Sequence, residues 1–527
     1  MATLVTEHND DIVPLEFSLG FFIALFLGIA WLALFPTVLV GYLYFTFVPF
    51  SLSPLNLLLL IPLFFLLYGV TLISSIIVTK TGFWIVHKRI TPPIPGSYPF
   101  TMENPQTRAY IIKGNIKPFG RWLFHLFHLQ FLTAIWLRCC GVKIGKNVRI
   151  PIHLQDEDFI KVGDNAFFSK SCQVSGHLMD QWTLTLSETV IGNNIIMEPL
   201  SGSVGGVVGD NSIFKQVTGA MKGQICKGNA IYKNIPCEKI GDNDLSSGEL
   251  EALKQKIRKY DKTNFMKEKN APIKISGVKL GLMKFIVVIG AILLAFIVPL
   301  LYSLLFSAFY SPTNHLLNIL LLTLVPFVFL ITLGVFLVGA AIIIKIFLSY
   351  YNKKAEIPEG LYELDDPRAK IFKIKYMLRM FGLRLVHGSP LRIADTFVMK
   401  FWGNVTLGTN IVIQDATIDP QYLELGDTVV VGGGARIHTH DIIEGKLYIK
   451  KVVIEKNVTI GALSHIQPGV EIVEGTVIAV LARVRKDQKC KRRALWVGQP
   501  AIELPIDAIK QSTGFKKRVV DDSYEKT

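Results

Sequence analysis

The sequence predicts a membrane protein made of two copies of one unit, in which a pair of transmembrane helices precedes a parallel β-helix. Three observations predict this fold class. Four long apolar runs interrupt the 527-residue chain, whose mean hydropathy is +0.41. Matching residues recur about 263 positions apart along the whole chain. An aliphatic residue returns every six positions through the polar segments.

The four apolar runs are long enough to cross a bilayer, since about 20 helical residues span its hydrocarbon core. None of them contains Asp, Glu, Lys or Arg, and buried helices of a soluble protein rarely form four such runs. Charged residues inside the membrane usually mark ion pathways, so an ion transporter is not expected. The runs cover residues 17–47, 55–79, 285–309 and 316–344.

Basic residues predict the orientation of these helices. The turns within the pairs, 48–54 and 310–315, contain no Lys or Arg, whereas the outer flanks contain many. The positive-inside rule therefore places both termini and both polar segments in the cytoplasm of a cell-membrane protein. The acidic N-terminal segment predicts no cleaved signal peptide.

The net charge of +15 comes largely from these flanks. Because no basic stripe is interleaved with aromatic residues, the expected partner is a lipid membrane and not nucleic acid. The six cysteines contain no C-x-x-C pair and no ligand spacing, which predicts reduced thiols and no metal site.

The prolines of the apolar runs indicate the duplication. Pro36 and Pro299 are 263 residues apart, and Pro62 and Pro326 are 264 apart; each predicts a helix kink. His177 and His440 repeat the 263-residue offset in the polar segments. The predicted domains are a helix pair at 1–99, a β-helix with an amphipathic connector at 100–245, a charged linker at 246–280, a second helix pair at 281–352 and a second β-helix with its connector at 353–527.

The six-residue period predicts short strands that each turn one aliphatic side chain inward. A sharp corner follows each strand, which suits small or polar residues, and three strands complete a triangular coil. The first copy follows this period less regularly, and residues 199–206 break it. In the second copy the period runs through Ile454, Ile460, Ile466, Ile472, Ile478 and Val484.

Both copies interrupt the period at the same place. Val174 and Ile191 are 17 residues apart instead of 18, and so are Ile437 and Ile454. A loop is therefore predicted to leave the coil there. In both copies histidines stand at the start of this loop.

Several motifs of the second copy follow a known family pattern. They are Thr439-His440-Asp441, Gly461-Ala462, Gln467-Pro468-Gly469-Val470 and Val497-Gly498-Gln499-Pro500. Through them residues 432–504 resemble the hexapeptide-repeat acyltransferases, such as the maltose, galactoside and xenobiotic acetyltransferases. The resemblance implies that the coils are left-handed. With the apolar runs, the predicted fold is tandem left-handed parallel β-helices, each preceded by a transmembrane helix pair.

The arrangement also resembles the membrane-bound carboxy-terminal region of ε-poly-lysine synthetase-type non-ribosomal peptide synthetases. That region has tandem acetyltransferase-like domains that are implied to form amide bonds. No adenylation or carrier domain is found in these 527 residues. The resemblance therefore implies a stand-alone member or a partner of a separate peptide synthetase.

Acyl transfer from a thioester requires a base that takes the proton of the attacking hydroxyl or amine, and a neutral imidazole suits this near pH 7. The resemblance implies that His440 is this base, and the repeat places His177 at the matching position. His438 is an alternative base. Asp441 or Glu444 is expected to orient the imidazole. A lone histidine is often only a surface residue, but two at equal register favour function.

The resemblance implies an acyl-CoA or a carrier-bound thioester as co-substrate, with no permanently bound cofactor. Its pantetheine arm is expected along the coil edge, at the turns of Gly461, Ala462 and Ala479. Its phosphates are expected to pair with Arg485, Lys486 and Arg492. Family members are usually trimers with sites between neighbouring β-helices, so a homo-oligomer or a cleft between the copies is expected.

Two functions from different classes remain open. One is a membrane-bound acyltransferase or amide-forming transferase that acts on a hydroxyl or amine. The other is a non-catalytic scaffold that docks a peptide synthetase or an acyl-carrier protein at the membrane.

Overall fold

The computed structural model describes residues 19–48, 54–127, 130–150, 153–169, 172–180, 183–262, 277–311, 313–391, 394–403, 405–414, 416–490 and 494–504. It contains ten α-helices within these residues. They are α1 (Leu19–Phe47), α2 (Pro54–Arg89), α3 (Pro105–His125), α4 (Gln130–Cys140), α5 (Ser247–Lys262), α6 (Gly277–Phe309), α7 (His315–Leu322), α8 (Val325–Lys354), α9 (Pro367–His387) and α10 (Ala394–Trp402). A short 3-10 helix covers Glu157–Phe159.

Four helical stretches are long and apolar enough to cross a membrane: α1, α2, α6 and α7 with α8. The helices α1, α2 and α6 continue through Pro36, Pro62 and Pro299. Only the fourth stretch is interrupted, between α7 and α8, just before Pro326. Proline is tolerated in a first helical turn, where its missing N–H has no partner in any case.

Each copy contains three parallel sheets that the chain visits in rotation, so the strands wind into a three-sided coil. In the first copy, called coil 1, the first sheet contains the strands Lys143–Ile144, Ile160–Val162, Thr189–Ile191, Val207–Val208 and Ile225–Cys226. The second sheet contains Phe167–Phe168, Ile196–Met197, Ile213–Phe214, Ala230–Lys233 and the antiparallel strand Glu238–Asp242. The third sheet contains His153–Gln155, Gln173–Ser175, Gly202–Val204 and Gly219–Ala220. We call this last set the histidine sheet of coil 1.

The second copy, called coil 2, has the same three faces. The first sheet contains the strands Val405–Leu407, Leu423–Leu425, Val452–Ile454, Glu471–Ile472 and Lys489–Cys490. The second sheet contains Val412–Ile413, Val430–Val431, Thr459–Ile460, Val477–Ile478, Leu495–Val497 and the antiparallel strand Ile502–Leu504. The third sheet contains Thr417–Ile418, Arg436–Ile437, His465–Ile466 and Arg483–Val484. We call this last set the histidine sheet of coil 2.

The inward positions of the coils agree with the six-residue period. All six residues of the series from Ile454 to Val484 are at most 1% exposed, and their burial against one another forms the axis of coil 2. The irregular stretch of coil 1 does not end the coil. Ser203 pairs with Val174 on one side and Ala220 on the other, and points inward fully buried.

An asparagine ladder stabilises one corner of coil 1. Its members adopt left-handed backbone angles, with φ between 52° and 57°, which asparagine tolerates better than other non-glycine residues. The side-chain amide of each of the first four members donates to the oxygen of the next, over 2.8–3.3 Å. The members are Asn147, Asn165, Asn194, Asn211 and Asn229.

The predicted loops are β-hairpins that begin at the two matching histidines. His177–Asp180 pairs with Thr183–Leu186, and His440–Ile443 pairs with Lys446–Ile449. A third antiparallel strand joins each hairpin from the segment after the preceding helix pair, Gly96–Pro99 or Gly360–Glu363. This strand connects each helix pair directly to the hairpin of its coil.

The two copies contact each other along their length. In the helical part α1 packs against α8, and the indole of Trp31 donates to the carbonyl of Thr323 over 2.8 Å. Between the coils, Leu184 and Leu186 of the first hairpin pack against Val430. Both coils therefore lie at the same end of the four long helices.

The connectors are helices packed between the membrane-length helices and the coils. Gly120 of α3 lies against the indole of Trp136, and Gly382 of α9 lies against that of Trp402. A Cβ on Gly120 would stand 2.3 Å from the Trp136 ring, and one on Gly382 would stand 2.4 Å from the Trp402 ring. Both contacts require a residue without a side chain.

We expect Gly120→Ala to lower the free energy of unfolding by about 1–3 kcal/mol, because the added methyl group displaces the buried Trp136 ring. Gly114→Ala in the same helix is the matched control: its Cβ would meet nothing within 4 Å. There the better helix propensity of alanine is expected to stabilise the protein by about 0.5–1 kcal/mol. Thermal unfolding of the detergent-purified protein measures both, and equal effects would contradict the packing.

Candidate functional site

Each matching histidine faces a buried aspartate. The Nδ1 atom of His440 lies 2.8 Å from an Oδ2 atom of Asp419, whose side chain is 1% exposed. In coil 1 the Nδ1 atom of His177 contacts Asp156 in the same way. The two aspartates are 263 residues apart, like the histidines. The duplication thus repeats a complete His–Asp pair.

Short polar contacts hold each carboxylate in its ionised form. Asp419 accepts the Thr439 hydroxyl over 2.7 Å and the backbone N–H of Gln421 over 3.2 Å. Asp156 accepts the Ser175 hydroxyl over 3.0 Å. These aspartates follow the first strand of each histidine sheet, one coil turn before the hairpin.

Burial by itself would raise the pKa of both carboxyl groups. The adjacent histidine outweighs burial together with Lys117 and Ser175 at Asp156 and with Thr439 and the Gln421 N–H at Asp419. The pKa of Asp156 therefore falls to about 2, and that of Asp419 also lies below its ordinary value. The stabilisation from Asp156 is complete above its unfolded pKa of about 3.9 and is lost as the pH falls through about 2.

The ionised carboxylates define the tautomer of each imidazole. A carboxylate only accepts hydrogen bonds, so Nδ1 carries a proton, and in the neutral form of the ring the free lone pair is on Nε2. Aromatic rings hold the imidazoles: Tyr376 and Phe372 of α9 lie 4.5 and 5.0 Å from the His440 ring centroid, and Tyr110 of α3 lies 5.3 Å from that of His177. The His440 side chain stays 19% exposed.

The orienting carboxylate differs from the one expected from the sequence. Asp441 accepts the backbone N–H of Ile442 over 2.8 Å, and Glu444 lies at the hairpin turn with φ 48°. Within the described residues the carboxylate bonded to His440 is that of Asp419. Only the 263-residue match of the two aspartates could have indicated this, because Asp419 is 21 residues away in sequence.

His438 lies in a different environment from His440. Its Nδ1 atom is 3.2 Å from Nε2 of His465, within the histidine sheet of coil 2. Burial lowers the pKa of His438 to about 4 and that of His465 to about 3. Both rings are therefore neutral near pH 7, and this pair lacks the bonded carboxylate that His440 has.

The residues expected to bind the co-substrate lie on two corners of coil 2. Gly461, Ala462 and Ala479 stack at the corner that leads into the histidine sheet, and a Cβ on Gly461 would stand 2.5 Å from the Ala479 carbonyl carbon. Arg485 and Lys486 are exposed at the corner that follows this sheet, from which the hairpin also leaves. Arg492 lies outside the described residues.

A cleft between the coils adjoins the glycine-containing corner. Its empty volume, open solvent included, is about 260 Å³. From coil 1 it is lined by the histidine sheet and the turn that follows, and from coil 2 by the residues next to Ala462 and Ala479. The lining residues are Gln173, Gly202, Ser203, Val204, Gly219, Ala220, Met221, Leu463, Val480 and Leu481.

A second cleft, of about 400 Å³ with open solvent included, lies between α3 and the aspartate of coil 1. Its polar lining is internally paired. Lys113 contacts Asp158, and Lys117 lies 2.7 Å from Glu157. Sequence reasoning missed these residues, because nothing in their spacing indicates that they meet.

No protein-family model matches the chain, and no curated protein matches it either. Parts of the chain are similar to solved hexapeptide-repeat acetyltransferases. One from Vibrio cholerae O1 biovar eltor, complexed with acetyl coenzyme A, is 20% identical, with 27% of this chain and 91% of that chain covered and a TM-score of 0.23.

Two further structures are similar over the same share of their own lengths. A maltose O-acetyltransferase from Clostridium difficile 630 is 17% identical, with 28% of this chain and 91% of that chain covered and a TM-score of 0.23. A galactoside acetyltransferase in complex with coenzyme A is 16% identical, with the same coverages and TM-score.

We expect Asp419→Asn to lower the free energy of unfolding by about 3–5 kcal/mol, because it removes the carboxylate that faces His440 and attracts the buried Arg379. Asp441→Asn is the control, with an expected change within about 0.5 kcal/mol. Chemical denaturation in detergent measures both values. If Asp419→Asn leaves the free energy of unfolding unchanged and Asp441→Asn lowers it, the orienting residue is Asp441 and not Asp419.

Proposed function

We propose that the chain is a membrane-bound acyltransferase, or an amide-forming transferase, with His440 as general base. It moves an acyl group from a CoA or carrier-bound thioester to a hydroxyl or amine. The observation that carries the proposal is the His440–Asp419 pair, in which Nδ1 of the imidazole faces the buried carboxylate while the His440 side chain stays 19% exposed. The motifs around Thr439-His440-Asp441 support the same chemistry by resemblance.

In the proposed reaction Nε2 of His440 accepts the proton as the acceptor oxygen or nitrogen attacks the thioester carbonyl. The new acyl bond forms, the carbon–sulfur bond breaks, and the imidazolium returns the proton to the leaving thiolate. Asp419 stabilises the imidazolium through Nδ1 and holds the ring orientation. No covalent enzyme intermediate is needed, since a thioester is already activated.

We further propose that the coils are left-handed β-helices and that the donor arm lies between them. The inter-coil cleft adjoins the corner of Gly461, Ala462 and Ala479, where the family resemblance implies the pantetheine chain. Arg485 and Lys486 are exposed and could hold its phosphates. A carrier protein, with or without a separate peptide synthetase, is the alternative source of the thioester.

Both coils are proposed to be cytoplasmic. Lys and Arg flank the coil-proximal ends of the membrane helices, which favours the inside. The opposite ends meet near Tyr42, whose hydroxyl lies 3.2 Å from Nδ1 of His315. We expect reporter fusions at residue 240 and at Thr527, the latter outside the described residues, to score as cytoplasmic. External scores for both would refute this orientation.

His440→Ala is expected to lower the turnover of thioester by about 10²- to 10⁴-fold while the protein stays folded and membrane-inserted, because a positioned base is lost. His177→Ala is expected to cause a smaller or equal loss. Release of free thiol from acetyl-CoA, with a panel of amines and alcohols as acceptors, measures both.

The assay also separates the proposal from a scaffold function. Near-normal turnover in His440→Ala would remove its catalytic role. Loss of turnover only in His177→Ala would assign the working site to coil 1. If the wild-type protein consumes no thioester but binds a carrier protein or synthetase, docking at the membrane replaces catalysis as its function.

A further inference from the structure

Two cations of α9 are buried near Tyr376 of the same helix, whose ring lies 4.5 Å from that of His440. Lys375 is 3% exposed and Arg379, one helical turn later, is 0% exposed. None of the three guanidinium nitrogens of Arg379 has a hydrogen-bond partner among the described residues. A buried guanidinium is costly unless it is paired and hydrogen-bonded. Attraction by Asp419 compensates Arg379 only in part, since Asp419 is already bonded to His440.

Gln421 adds further unpartnered polar atoms at the same place. It is fully buried, and neither its amide nitrogen nor its amide oxygen has a partner among the described residues. Its backbone N–H donates to Asp419, so its position relative to the His–Asp pair is fixed. Buried amides without partners are rare in native proteins, and their presence indicates an unfilled polar site.

The first copy shows what such cations require. The helices α3 and α9 each have 21 residues and begin with proline, so Lys113 matches Lys375 and Lys117 matches Arg379. In coil 1 both lysines are paired with carboxylates of the chain itself, Asp158 and Glu157.

The second copy lacks these two carboxylates. At a 263-residue offset, Pro420 stands where coil 1 has Glu157, and Gln421 stands where coil 1 has Asp158. Among the described residues, no ion pair is found for Lys375 or Arg379. Burial consequently lowers the pKa of Lys375 to about 8 and that of Arg379 to about 10.

We propose that coil 2 binds an anionic group of the acyl acceptor, a carboxylate or a phosphate, between Lys375, Arg379 and Gln421. The anion takes the place that two acidic side chains fill in coil 1. A guanidinium and an amide can both donate to its oxygens, and the ammonium adds charge. Coil 1, already neutralised by Glu157 and Asp158, binds no anion there.

Assigning the anion to the acceptor rests on the proposed function. The base contacts the attacking hydroxyl or amine, so a charge held beside His440 belongs to the molecule that carries this group. The reacting end of an acyl thioester has no charge, and the phosphates of CoA lie at the far end of the pantetheine arm. The expected substrates are therefore hydroxy or amino compounds with a nearby carboxylate or phosphate.

The test measures anion binding without any thioester. Melting of the full-length protein in uncharged detergent is followed with rising sodium phosphate or sodium acetate, against sodium chloride at equal ionic strength. A ligand that binds only the folded state raises the melting temperature in a saturable way. We expect saturation with phosphate or acetate beyond the chloride effect, and the stronger of the two identifies the anion.

Two substitutions in coil 2 should weaken this binding at least about tenfold, the loss expected for one charge-assisted hydrogen bond. Arg379→Met removes the guanidinium, and without anion it should be as stable as the wild type or more so, because an unpaired buried charge disappears. Gln421→Asp places a carboxylate where coil 1 has Asp158, and this carboxylate should occupy the anion site in place of the ligand.

Matched substitutions in coil 1 serve as controls. Lys117→Met should keep the anion response but lower stability, because Glu157 loses its partner. Asp158→Gln should free Lys113 and give coil 1 an anion response of its own. An equal response in the wild type and Arg379→Met, or none beyond chloride in the wild type, would overturn the proposal.

Different outcomes contradict the anion site and the proposed acyl transfer. His440→Ala should keep the anion response, so binding without thioester consumption would leave the site standing and overturn the acyl transfer. Thioester consumption that is equal for neutral and anionic acceptors, and unchanged in Arg379→Met, would leave acyl transfer standing and overturn the anion site.

Discussion

The hydrogen bond between a buried aspartate and the first histidine of each hairpin is the contact on which the rest of the site depends. It joins two turns of the coil, because the aspartate ends one turn and the histidine begins the excursion from the next. The hairpin that starts there pairs with the strand arriving from the preceding helix pair. A change at Asp419 thus reaches the imidazole, the hairpin and the attachment of coil 2 to its helix pair.

Regular features of this fold could be predicted from the sequence, because they repeat at short intervals. The inward series from Ile454 to Val484 is buried as the six-residue period requires. The helix runs were also located correctly, although α2 extends to Arg89, beyond the predicted end at residue 79. The charged Lys80 marks the end of the apolar run and not the end of the helical hydrogen bonding, which continues to Arg89.

The site itself was predictable only in part. His177 and His440 stand out through their register, but Asp156 and Asp419 come close to them only after the chain has completed a turn of the coil. Sequence proximity therefore favours Asp441 as the partner of His440, although the structure shows Asp419 there. The sequence likewise does not indicate that the cations of α9 are buried. A basic residue such as Lys375 within a helix is also typical of an ordinary amphipathic surface helix.

The packing of α1 against α8 and of the first hairpin against coil 2 has a consequence for the history of the chain. In an assembly of identical subunits every substitution appears in all sites at once, so the sites cannot specialise. Covalent fusion of two copies ends this constraint. One copy can then acquire internal carboxylates such as Glu157 and Asp158 while its neighbour stays cationic, and a single polypeptide can carry two different specificities at fixed stoichiometry.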